Sequence, residues 1–175
     1  MVRRIWTIGH STRTADEFIA ALEEPGIKLL ADVRLLPGSR RYPQFNQETL
    51  RSSLADHGIG YEHFPELGGR RKPRPDSINT AWQNEAFRGY ADYMETPAFQ
   101  SGIERLLELA DRAGPTAIMC AEAVWWRCHR GLIADFLKVR GVDVIHILQP
   151  GRAEPHPFTS AARVVSGRLS YAALL

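Results

Sequence analysis

A chain of 175 residues, 44% hydrophobic and 24% charged, is long enough for one domain with a sizeable core and has the composition of an ordinary globular protein. A formal net charge of +2 is too small to establish nucleic-acid binding, and two cysteines, Cys120 and Cys128, are too few for a disulfide framework. No apolar run approaches the roughly 20 residues of a membrane span. Met1 to Ile5 open neither a long apolar stretch nor a small-residue cleavage site, so a cytoplasmic protein with no signal peptide and no membrane partner is expected.

Arg4 to Ile8 reads as a first strand, followed by a loop from Gly9 to Arg13. Thr14 starts a helix, with Glu17 as its capping-box partner, Phe18 and Leu22 on its apolar face, and Pro25-Gly26 at its end. Lys28 to Val33 is the mostly apolar run expected of a buried parallel strand. A polar loop from Arg34 to Asn46 precedes a helix over about Gln47 to His57, and Ile59 to Phe64 reads as a short strand. Pro65 to Thr80 carries two glycines, three arginines and Lys72, and reads as a long loop, either functional or a surface excursion. Helices follow over about Ala81 to Glu95 and from Thr96-Pro97 onward, the second with Phe99, Ile103, Leu106, Leu107 and Ala110 as its buried stripe. Thr116 to Cys120 is the fourth strand, Ala121 to Arg127 a loop, Cys128 to Val139 a helix and Asp143 to Ile147 the fifth strand. In the proline-bearing tail, Val164 to Tyr171 suggests a small hairpin.

Strands alternating with helices predict a single three-layer α/β domain: a mainly parallel sheet of about five strands with helices on both faces. Residues 1–148 would form the domain, and residues 149–175 an extension packed on it. In such folds ligands bind beyond the carboxyl ends of the strands, and four strand-end loops there carry polar groups. The first offers His10, Ser11 and Arg13. The second offers Asp32, Arg34, Ser39 and Arg40, and the third Gly68, Gly69 and Arg70-Arg71. The fourth runs from Cys120 through Glu122 to Cys128, His129 and Arg130. Only three of 22 basic residues are lysine. Arginine forks match the oxygens of phosphates and carboxylates, although arginine-rich codon usage accounts for much of the bias.

Cys120, between a strand and a helix start, is the expected nucleophile, its acidity raised by a helix N-terminus and by arginines; the alternative is a small buried apolar residue. Cys128 shares a helical face with Leu132, which favours burial, yet it could sit beside Cys120. His10 is the expected general base. Glu122 is a second acid or base, or a salt-bridge partner for Arg34 or for Arg130, whose charge at a helix start asks for an anion. Asp32 orients His10 or Arg34. Adjacent His129 and Arg130 diverge by about 100° on a helix.

No P-loop, dinucleotide fingerprint or zinc-deaminase signature is present. A thiol-phosphatase loop is excluded by spacing: Arg127 follows Cys120 one position too late. No cofactor is expected, the alternative being a zinc site at Cys120 and Cys128.

Several of these segments together, Thr7 to Thr12 (TIGHST), Asp32-Val33-Arg34 with Pro37 and Ser39-Arg40, Leu67 to Gly69, Met119 to Glu122 (MCAE) and Cys128 to Arg130 (CHR), resemble the domain-of-unknown-function family numbered 488 over about Trp6 to Ile147. The resemblance implies that the quoted residues are hallmark positions; it implies no activity. Trp125-Trp126 departs from the less bulky, often proline-containing loop expected there. The Asp-Val-Arg strand end and the cysteine loop are also similar to rhodanese-like sulfurtransferases, though without their compact cradle.

The reading expected from the sequence is a cysteine-dependent enzyme for an anionic, phosphate-bearing substrate, whether small molecule, nucleotide or nucleic acid. The alternatives are a rhodanese-like sulfur or redox protein and a non-catalytic nucleic-acid-binding module using Arg70, Arg71, Lys72 and Arg74 with Trp125 or Trp126 on a base.

Overall fold

The computed structural model describes residues 4–174; Met1 to Arg3 and Leu175, which fall within the N-terminal and tail readings above, lie outside it. Five strands build the body of a sheet, with apolar runs at its centre: β1 (Arg4–Gly9), β2 (Leu29–Asp32), β3 (Gly60–His63), β4 (Thr116–Cys120) and β5 (Asp143–Gln149). These five are parallel, and β6 (Arg152–Pro155) adds an antiparallel edge, giving the order β3-β2-β4-β1-β5-β6. A separate hairpin, β7 (Arg163–Val165) with β8 (Arg168–Ser170), stands where the tail predicted one.

Side-chain alternation along each strand divides the core in two. Ile118 and Cys120 of β4 join Ile5, Phe99, Ile103, Leu132 and Leu137 on one face. Ala117 and Met119 join Ile8, Phe18, Leu22, Leu50 and Leu54 on the other. The first face is covered by α3 (Glu85–Tyr93), α4 (Pro97–Ala113) and α5 (Arg130–Val139), the second by α1 (Ala15–Glu23) and α2 (Gln47–Ala55). The expected caps form: Thr14 and Glu17 exchange both capping-box bonds, and the Thr96 hydroxyl accepts from the Phe99 amide.

Two helix starts differ from the sequence reading. α3 begins at Glu85 rather than Ala81, because the Ala81 amide is bonded to the Tyr171 carbonyl and Asn84 supplies the cap. α5 begins at Arg130 rather than Cys128: Trp125–Arg127 form a single 3-10 turn and Cys128 is extended (φ −138°, ψ 148°). The stretch from Pro65 to Thr80 is tied down, with the Arg74 amide, Ser77 hydroxyl and Asn79 amide group all donating to Asp92. No helix among the described residues is long and apolar enough to cross a membrane.

The chain leaves β1 outward to β2 and β3, returns to insert β4 beside β1, and continues to β5 on the other side of β1. The reversal opens a crevice beyond the carboxyl ends of β1 and β4, the place where such sheets bind ligands.

Candidate functional site

Beyond that edge the parallel ladder continues for two residues: the His10 amide donates to the Cys120 carbonyl (2.9 Å) and the Ser11 amide to that of Ala121 (3.0 Å). This brings the loop after β4 across β1 so closely that a Cβ on Gly9 would lie 1.6 Å from the Glu122 carbonyl oxygen. The two loops bound a cleft of about 570 Å³. Of the expected residues, His10, Ser11, Arg34, Ser39, Gly69, Cys120, Glu122, Cys128 and His129 line it.

The extended backbone at Cys128 turns its sulfur back over the start of α5. The Arg130 amide donates to Sγ at 3.4 Å, and His129 Nδ1 lies 3.5 Å from Sγ. His129 Nε2 is 2.8 Å from the Val33 carbonyl, which can only accept, so Nε2 carries the proton and Nδ1 is left to accept from the thiol. This is the arrangement in which an imidazole, itself oriented by a third group, can take the proton of a thiol. Gly69 makes room for it: a Cβ there would sit 2.9 Å from His129 Nδ1.

Burial is the largest influence on the Cys128 thiol and would raise its pKa. The Cys120 thiol, the charge of Arg130, and that residue's amide and guanidinium together outweigh it, and the net direction is down. Cys120 goes the other way, raised by burial and by Cys128. It is 2% exposed, with its thiol 3.8 Å from the Glu122 carbonyl. An acidic thiol at Cys120 is therefore not what its surroundings favour; the two cysteines are neighbours, and Cys128 is the one poised to ionise. Burial is the first cause lowering the pKa of His129, which favours its neutral, accepting form.

Arg130 is 1% exposed, and the oxygens its guanidinium donates to among the described residues are all neutral, those of Thr7 (3.0 Å), Glu122 (2.9 Å) and Ala123 (3.4 Å), the last two being backbone carbonyls. The Glu122 carboxylate is thus not its counter-charge. None of the ion pairs among the described residues includes Arg130, and its Nε is buried without a partner. A buried charge so placed is costly unless an anion meets it.

His10 stacks on Phe45 and donates from Nδ1 to the Ser11 carbonyl (2.9 Å), leaving its Nε2 lone pair without a partner among the described residues. Burial chiefly lowers its pKa, so it is a neutral acceptor near pH 7. Asp32 orients Arg34, not His10, gripping it through two bonds of 3.0 and 2.8 Å. Arg34 also donates to the Phe45 carbonyl, which leaves Nη1 as its only guanidinium nitrogen without a partner among the described residues. Ser39 works within its own loop, accepting from the Tyr42 amide.

Arg13, Asp32, Arg40, Gly68 and Arg130 do not line the cleft. Arg13 is spent on the Gly9 and Leu148 carbonyls, Gly68 is packed against Leu35, and Arg40 is exposed. In their place stand residues the sequence did not single out for the site, among them Thr12, Tyr42, Phe87, Tyr90 and Arg127. Tyr90 sits on an apolar helical face and contacts the His129 ring at 4.9 Å between centroids. Arg70 and Arg127 are exposed at the cleft. Ser11 (φ 50°) and Arg70 (φ 62°), two of the three non-glycine residues with left-handed backbone among those described, also line it; such positions cost about 1–3 kcal/mol and gather at functional sites. Among the described residues no group of three or more His, Cys, Asp or Glu side chains is arranged to hold a metal ion.

No curated protein and no solved structure matches the chain. The family model described as Domain of unknown function DUF488 matches residues 14–137, most of the chain, with β2, β3 and β4 of the sheet and both cysteines. The chain belongs to the DUF488 family.

Proposed function

We propose that this protein is a thiol-dependent enzyme for a small anionic substrate, with Cys128 as nucleophile. The observation that supports this most is the pairing of the Cys128 sulfur with His129 Nδ1 at 3.5 Å and with the Arg130 amide at 3.4 Å, where the buried Arg130 charge, which has no carboxylate partner among the described residues, acts on the thiol. The thiolate is the anion that Arg130 lacks. In the reaction the Cys128 thiol gives its proton to His129 Nδ1, and a sulfur electron pair forms a bond to an electrophilic centre of the substrate. The leaving group departs with the electrons of the broken bond and takes the proton back from His129. Arg70, Arg127 and Nη1 of Arg34 provide the positive charge for the substrate's anionic group. The His10 Nε2 lone pair can activate a water that releases a covalent intermediate.

The nucleic-acid surface has less to stand on. Arg71 donates to the Gly68 and Pro65 carbonyls, Arg74 pairs with Glu95, and Trp125 is buried, leaving Arg70, Lys72 and Trp126 exposed.

Sub-stoichiometric iodoacetamide at pH 6.5, followed by peptide mapping, is expected to label Cys128 before Cys120. The anionic reagent iodoacetate should gain on iodoacetamide relative to a free thiol, because the cleft attracts it. Labelling of Cys120 first would remove Cys128 as nucleophile, and a free-thiol reagent ratio would remove the preference for anions.

A further inference from the structure

Behind Arg130, away from the cleft, buried polar side chains stand in line. Arg130 Nη1 donates to Thr7 Oγ1 (3.0 Å), and Thr7 Oγ1 contacts His146 Nδ1 (2.5 Å). His146 Nε2 is 2.7 Å from His156 Nδ1, and His156 Nε2 is 2.7 Å from Asp135 Oδ1. Asp135 also accepts from the Thr159 amide and from the hydroxyls of Thr159 and Tyr171. Thr7, His146, Asp135 and His156 are all buried, and Trp125 closes the line, stacked on His146 and edge-on to His156.

The chemistry of the two ends fixes the direction of every bond between them. A guanidinium only donates and a carboxylate only accepts. Thr7 therefore receives from Arg130, and because its hydroxyl has no acceptor among the described residues other than His146 Nδ1, it donates there. His146 must then carry its proton on Nε2 and pass a bond to His156 Nδ1, and His156 in turn donates from Nε2 to Asp135. Each imidazole carries its proton on Nε2 in this arrangement. His146 is held neutral, its pKa pushed down to about 2 by burial and then by His156 and Arg130. A hydrophobic core of the same shape would be at least as stable as such a buried network, so its presence beside the reacting sulfur calls for a use. Resting on the reading of Cys128 as nucleophile, we propose that Thr7, His146, His156 and Asp135 are positioning residues, a one-way relay that holds the Arg130 guanidinium beside the Cys128 sulfur.

The ionisable and charged groups around that sulfur are Cys120 from β4, Tyr90 from α3, and His129 and Arg130 at the start of α5, with Arg71 acting on Tyr90 and His129. Of these groups Thr7→Val touches only Arg130, whose guanidinium it releases by cutting the relay, while Thr7→Ser keeps the hydroxyl. The pH profile of Cys128 alkylation, read by peptide mapping, is expected to move upward in Thr7→Val, with labelling at pH 6 falling about tenfold and labelling at pH 10 unchanged. Thr7→Ser should follow the wild type. A midpoint that does not move, or moves down, or a loss equal at all pH values, overturns the relay while leaving Cys128 as nucleophile. An ordinary thiol midpoint in the wild type overturns the nucleophile and the relay with it. A second measurement needs no variant: imidazole nitrogen NMR of the wild type should show His146 and His156 carrying their protons on Nε2 from pH 7 to 8. Either ring protonated on Nδ1 in that range overturns the direction of the relay.

Discussion

Replacing Arg130 with methionine is expected to leave the fold intact and to abolish the reactivity of Cys128 below neutral pH. An opposite charge close to an ionisable group shifts its pKa by about 1–3 units, so removing it lowers the thiolate fraction at pH 6 by about tenfold to a thousandfold. The sign follows from the direction at Cys128: its thiol is held below the ordinary range, and the Arg130 charge, amide and guanidinium are among the causes. Loss of the charge moves the profile up, so the deficit is large at low pH and vanishes above the ordinary cysteine range. Stability should stay within about 2 kcal/mol of wild type, because two carbonyls and the Thr7 hydroxyl lose a donor while an uncompensated buried charge disappears. Denaturant unfolding measures the second effect and alkylation at several pH values the first. An unchanged profile would show that Arg130 is only a structural buried cation.

Gly9→Ala is expected to be the most damaging small substitution in the site. The new Cβ would lie 1.6 Å from the Glu122 carbonyl oxygen and 2.6 Å from its carbon, and both contacts are backbone. The loop after β4 would have to lift, breaking the bonds of His10 and Ser11 to the Cys120 and Ala121 carbonyls and moving the two carbonyls that hold Arg130. A loss of about 3 kcal/mol or more in unfolding free energy is expected, at the upper end for overpacking. Gly38→Ala is the control, since no heavy atom lies within 4 Å of its added Cβ although Gly38 also lines the cleft. Equal stability of the two variants would mean that the crossing of β1 by this loop is looser than described.

The sheet was legible because its central strands are short apolar runs bounded by glycine, proline and polar loops, as Lys28 to Val33 and Thr116 to Cys120 illustrate. β6 was not: Arg152 to Pro155 lacks alternation and ends in proline, and only its place at the sheet edge makes it a strand. The site was legible as a set of loops, since strand ends in a parallel sheet converge whatever their sequence. The division of labour within it was not. Cys120 and Cys128 differ through one extended residue ahead of α5, which gives the second cysteine an amide and an imidazole and leaves the first its burial. The helical stripe of Tyr90 hid its contact with His129. His146, His156 and Asp135 lie apart in the chain and meet only in the fold; the available signals were a histidine at an inward strand position and a carboxylate within the apolar run from Leu132 to Leu137.

Ultraviolet titration of thiolate absorbance near 240 nm, carried out on the wild type and on the two single cysteine-to-serine variants, is the sharpest check on an ionised Cys128 facing Arg130. The account predicts a thiolate signal that begins below the ordinary cysteine range, survives Cys120→Ser and disappears in Cys128→Ser. A wild type whose first thiolate titrates at or above the ordinary cysteine range, or a signal that disappears in Cys120→Ser instead, would contradict it.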